Sequence, residues 1–123
     1  MKKVNVIQRL EEIETLKHYI PTSKVSQIKP SQLSNLYLLT KGFVSDLMED
    51  CNTIYQNNSS SSNLVELANS LASLCNVKRI LRVYALNDGC EDERLCHGIG
   101  YYLAKLRKNL RKIEKAFRSL ELA

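Results

Sequence analysis

Three residues near the start of the last third of the chain have side chains that can bind metals or act as nucleophiles. Cys90, Cys96 and His97 form the pattern C-x5-C-H, and Cys51 and Cys75 lie earlier in the sequence. Structural zinc sites need four converging ligands and usually have more closely spaced cysteine pairs. Neighbouring helical residues point about 100 degrees apart, so Cys96 and His97 cannot face each other as nucleophile and base. The sequence therefore predicts no metal, no cofactor and no catalytic site, and we expect the protein not to be an enzyme.

Two other patterns in this region have simple structural explanations. Glu91, Asp92 and Glu93 stand where the last helix is expected to begin, and anions are favoured there by the helix dipole. Gly98 and Gly100 form G-x-G inside that helix, without the strand and the third glycine of a nucleotide-binding loop. We expect these two glycines to allow a kink or the close approach of another backbone.

The last helix is predicted by an unbroken apolar heptad. The neighbouring g positions are Tyr102, Asn109 and Ala116, none of which is charged, although a dimeric coiled coil usually selects its partner through e and g charges. This wide apolar face favours burial inside a bundle of the same chain, and a contribution to homodimerisation or partner docking is the alternative. The a and d residues of the heptad are Cys96, Ile99, Leu103, Leu106, Leu110, Ile113, Phe117 and Leu120.

The opposite face of this helix is basic. Residues 101–120 contain seven Lys or Arg and one Glu, whereas the rest of the chain has a net charge of −1. Such an array can approach successive phosphates of a nucleic-acid backbone, or it can serve only to keep the surface soluble. The candidate nucleic-acid or anion-binding residues are Lys105, Lys108, Arg111, Lys112, Lys115 and Arg118.

Three further helices precede this one. The first is predicted from Val4 to Tyr19, with an apolar arc that leaves Arg9 and most other charged residues outside. The second is predicted over 31–56, with Ser31 as its cap and with Gly42 indicating a close helix crossing. The third is expected to begin at Asn63, because an Asn followed by Glu three residues later matches a capping box.

Short connections between four amphipathic helices predict their topology. Pro21 and Pro30 bracket the first connection, the Asn/Ser run at 57–62 forms the second, and Asn87-Asp88-Gly89 ends the third helix. We therefore predict an all-α fold, an antiparallel up-down four-helix bundle with a long basic C-terminal helix, in a single domain of residues 1–123.

Composition sets the expected compartment and the class of function. The chain is 44% hydrophobic and 25% charged, which is typical of a globular protein that folds without a metal or disulfides. Polar residues interrupt any N-terminal targeting signal, and no apolar run is long enough to span a membrane, so we expect a cytoplasmic protein with reduced cysteines.

The predicted function is that of a small adaptor, regulator or assembly subunit that acts through a protein partner or self-association. Non-sequence-specific DNA or RNA backbone binding, as in a small ribonucleoprotein subunit, is the alternative, and neither a membrane nor a small-molecule substrate is expected.

Overall fold

Four α-helices make up the fold. The computed structural model describes residues 4–57, 62–86 and 93–122, and these ranges contain no β-strand. The helices are α1 (Val6–Tyr19), α2 (Pro30–Asn57), α3 (Ser62–Leu86) and α4 (Glu93–Leu122), and a short 3₁₀ helix (Val25–Gln27) lies between α1 and α2. The all-α class predicted from the sequence is confirmed.

The helices run antiparallel and close into a ring. Arg9 near the start of α1 binds Asp50 near the end of α2. In the same way, Tyr84 near the end of α3 lies against Gly98 near the start of α4. Each helix contacts the helix before and after it, and α1 also contacts α4, so the bundle is closed in the predicted up-down order.

Helix α1 covers only part of one side of the bundle, and the chain that follows α1 covers the rest. This helix has 14 residues, whereas α2, α3 and α4 have 28, 25 and 30. Beyond its end, the Pro21 carbonyl accepts a hydrogen bond from Arg107 of α4 at 2.7 Å. A β-carbon at Gly100 would lie only 3.3 Å from the Val25 side chain, and one at Gly98 would collide with the Tyr84 hydroxyl. These glycines do permit a close approach, but by side chains rather than by a backbone as expected.

Local hydrogen bonds explain where the first two helices begin. The side chain of Asn5 accepts a hydrogen bond from the backbone amide of Gln8 at 3.1 Å and caps the helix, so α1 starts at Val6 rather than at Val4. Ser31 is not the cap of α2, because that helix already begins at Pro30, where a proline loses no helical donor. The side chain of Gln32 instead accepts the Lys29 amide at 2.8 Å.

The third helix also begins before its predicted cap. Its first residue is Ser62, one residue before the predicted start at Asn63. The expected helix start at Glu91 and Asp92 lies outside the described residues, as does the turn at 87–89.

The apolar heptad of α4 packs into the core of the bundle. Asn109, at a g position, is buried and donates a hydrogen bond to Ser73 of α3 at 2.8 Å, and Ala116, at the next g position, is also buried. The uncharged g positions are therefore explained by burial within this chain, as the wide apolar face predicts. The side chain of Cys96 lies outside the described residues, and Leu120 is half-buried. The fully buried a and d residues are Ile99, Leu103, Leu106, Leu110, Ile113 and Phe117.

Candidate interaction surfaces

The predicted basic residues lie along one outer face of α4. Lys108, Arg111, Lys112, Lys115 and Arg118 are exposed, and Lys105 is half-buried. Their spacing of three and four residues keeps them on the side opposite the buried heptad. We call these six residues the basic face.

The members of the basic face differ in their local partners. Arg118 binds Glu114 one turn earlier at 3.1 Å, and the ammonium group of Lys105 lies 5.8 Å from the ring centre of Tyr101. The other four cations form no ion pair with any residue that the structure describes. Their charges are therefore available to an external anion.

Glu114 is held by two cations from two helices. Lys17 of α1 and Arg118 of α4 both donate to its carboxylate. The hydrogen bond from Lys17 lowers the pKa of Glu114, with a smaller contribution from Arg118, and the same contact raises the pKa of Lys17. This acid inside a basic surface therefore joins α1 to α4.

A groove runs between α3 and α4 beside the basic face. It has a volume of about 420 Å³, and it is lined on the α4 side by Tyr101, Lys105 and Lys108. On the α3 side, Asn69 and Ser73 supply polar groups. No α3 residue was predicted at this surface, because the exposed positions of α3 mix small, polar, apolar and charged residues with no distinctive pattern.

A second groove lies on the other side of the bundle, between α1 and α2. Its volume is about 450 Å³, and its floor contains the buried Leu16 and Phe43 and the half-buried Leu39. Leu38 at its edge is 62% exposed. We call it the acidic groove, because its rim carries the carboxylates of Glu11, Glu12 and Asp46 and none of the cations that the structure describes lines it.

Gly42 is an exposed residue that lines the acidic groove. A β-carbon at this position would have no atom within 4 Å, so the predicted close helix crossing at Gly42 is wrong. The glycine instead leaves open space between α1 and α2. A glycine in the middle of a predicted helix was the one sequence signal for this groove.

Beneath the rim of the groove, Arg9 is buried although the sequence pattern places it outside the core. Its exposed fraction is 8%, and its guanidinium binds Asp50 through Nε at 2.5 Å. The same guanidinium lies 3.2 Å from Glu12 and 3.7 Å from Asp46. Three carboxylates therefore surround one cation, which leaves this cluster with excess negative charge.

That excess changes the acidity of Glu12. Burial raises the pKa of the Glu12 carboxyl above its ordinary value, Arg9 opposes the shift, and the neighbouring Asp46 carboxylate adds to it. An additional cation beside the Glu12 carboxylate would oppose this shift, as Arg9 does.

The cysteines that the structure describes have the environment of packing residues. Cys51 and Cys75 are free thiols, half-buried against the core. Burial raises the pKa of the Cys51 thiol to about 11, and Asp50 adds to the shift, so this thiol stays protonated at neutral pH. Cys90 and the side chains of Cys96 and His97 lie outside the described residues.

Comparison of the chain with protein-family models, with curated proteins and with solved structures finds no match. Across the part of the chain that the structure describes, no helix is both long and apolar enough to cross a bilayer. The function must therefore be inferred from the surfaces of the bundle.

Proposed function

We propose that the protein is a small non-catalytic adaptor, regulator or assembly subunit that acts through protein–protein contacts. The observation that supports this function is the acidic groove, which combines an apolar floor with a charged rim. Protein interfaces have the same organisation, an apolar centre surrounded by polar groups. We also propose a cytoplasmic location, since the half-buried thiols of Cys51 and Cys75 are unpaired.

Affinity purification from native extract tests this function. The tagged wild-type protein should recover a protein partner, and Gly42→Leu should lose it, because the new side chain fills the groove. Gly42→Ala is the matched control, since its methyl group enters open space and leaves most of the groove free. Equal recovery by all three proteins, or recovery of no protein by the wild type, would contradict the proposal.

A second function, binding to a nucleic-acid backbone, is favoured by a different observation. The four exposed cations Lys108, Arg111, Lys112 and Lys115 have no ion-pair partner among the described residues, and they lie on one face of α4. Residues 105 to 118 of a helix span roughly 20 Å, a distance over which a nucleic acid presents several phosphates.

Salt-dependent binding to a short DNA duplex measures this activity directly. Neutralisation of about six phosphates predicts a log–log salt slope near −5. Replacement of Lys108, Arg111, Lys112 and Lys115 by Glu should abolish binding. A control with the same change in net charge replaces four exposed cations outside α4, namely Lys24, Lys29, Lys41 and Arg79. If both quadruple variants lose affinity equally, the net charge and not the basic face is responsible.

A further inference from the structure

Gly42 lowers the stability of α2, and no packing contact explains why a glycine stands there. A glycine in the middle of a helix is less stable than alanine. Such a residue is often retained because another element packs against it, but here the space beside it is empty. Gly42 is exposed and lines the acidic groove, so the missing side chain leaves the groove more open.

The apolar floor and the charged rim of this groove are arranged for a side chain from outside. Leu16, Phe43 and Gly42 line the same groove, and Leu38 at its edge is 62% exposed. An apolar side chain placed there would be removed from water together with the exposed part of Leu38, and burial of apolar surface favours binding.

The negative charge of the rim restricts which residues of a partner can flank that apolar side chain. Glu11 is exposed, and Glu12 and Asp46 share Arg9 with a third carboxylate, Asp50. Lysine or arginine from a partner would balance the unmatched carboxylates, whereas an acidic partner would be repelled. Gln8 to Thr15 of α1 borders the groove over roughly 10 Å, the length of two helical turns.

We infer that the acidic groove binds a basic amphipathic segment of a partner protein, with one apolar side chain seated over Gly42 and flanking lysine or arginine residues paired with Glu11, Glu12 and Asp46. This inference rests on the proposed adaptor function and adds the chemistry of the partner. An open groove of this length suits a peptide segment better than a small molecule, since small-molecule sites enclose most of their ligand.

The full chain and a fluorescent peptide of lysine and leucine, about four helical turns long, test the inference. The leucines of this peptide fall on one helix face. One control peptide has the same composition in scrambled order, and another has Glu in place of every Lys. Anisotropy should show binding of the first peptide only, and its addition should shift the amide resonances of Gly42 and Asp46 but not that of Gly100.

Substitutions at two positions separate the effect of the shape of the groove on peptide binding from the effect of its charge. Gly42→Leu should weaken peptide binding at least about tenfold, whereas Gly42→Ala should change it less than about threefold. Glu11→Gln, which alters charge but not the floor, should weaken binding by about two- to fivefold at low salt. Thermal unfolding of each variant confirms that the bundle remains folded.

Several results would overturn the inference. The first is equal affinity of the peptide for the wild type and Gly42→Leu, and the second is equal binding of either control peptide. Self-association of the wild type that Gly42→Leu removes would assign the groove to a second copy of this chain. If Gly42→Leu loses a natural partner but the basic peptide never binds, the adaptor function stands and the proposed occupant is wrong.

Discussion

Among single residues, Arg9 shows how an ion pair can override the helical pattern. Its long side chain reaches back to Asp50, whose exposed fraction is only 5%. Arg9→Met should lower the free energy of unfolding by about 3–5 kcal/mol, because it leaves a buried carboxylate without its cation. The double variant Arg9→Met/Asp50→Leu should recover much of this loss, as measured by urea unfolding. Equal instability of the single and double variants would show that the pair is not the cause.

Two carboxylates on α1 and α4 should respond to pH in opposite ways. Lys17 lowers the pKa of Glu114 from its ordinary value of about 4.5. The ionised Glu114 therefore stabilises the folded protein fully above about pH 4.5, and this stabilisation is lost as the pH falls through the folded-state pKa. Glu114→Gln should therefore destabilise the protein at pH 7 by up to about 1 kcal/mol and by much less near pH 3.

Glu12 provides the contrast. Because burial raises its pKa, the folded state binds the proton more tightly, and stability falls as the pH rises from about 4.5 through the folded-state pKa. Glu12→Gln should be neutral or slightly stabilising at pH 7 while it weakens binding at the acidic groove. Unfolding measured from pH 3 to pH 7 compares the two variants, and a destabilising Glu12→Gln at pH 7 would contradict the assignment.

At the scale of helices, the glycines of α2 and α4 should behave differently although both stand inside helices. Gly42→Ala should raise the free energy of unfolding by about 0.8–1 kcal/mol, since the added methyl group has free space. Gly98→Ala should lower it by about 1–3 kcal/mol, because the methyl group displaces the Tyr84 hydroxyl. Thermal unfolding distinguishes them, and a destabilising Gly42→Ala would show that the space beside Gly42 is not free.

The helices themselves could be predicted from sequence because their apolar periods are local. The buried stripe of α4 and the end of α1 before Pro21 follow directly from spacing and proline chemistry. The exact starts of α2 and α3 could not be predicted, since several residues near each start can cap a helix. The acidic groove was also missed, because it depends on which faces of α1 and α2 meet, and neither helix shows that alone.

At the scale of the whole molecule, charge is divided between the two sides of the bundle. Helices α1 and α2 carry six carboxylates and three cations, whereas α3 and α4 carry eleven cations and four carboxylates. The basic face and the acidic groove therefore lie in local fields of opposite sign. A polyanion and a basic segment could bind at the same time, which would let one small bundle connect two partners of opposite charge.

The heptad of α4 determines whether the bundle depends on a second copy for its core. Leu106 is fully buried within the single chain, so Leu106→Ala should lower the free energy of unfolding by about 2–5 kcal/mol. Lys108→Ala, two residues away on the basic face, should change it by less than about 0.5 kcal/mol. The unfolding midpoints of both variants and the wild type should not depend on protein concentration, because burial of this stripe needs no partner. A midpoint that rises with concentration and a Leu106→Ala variant that dissociates without unfolding would show instead that the heptad is an intermolecular interface.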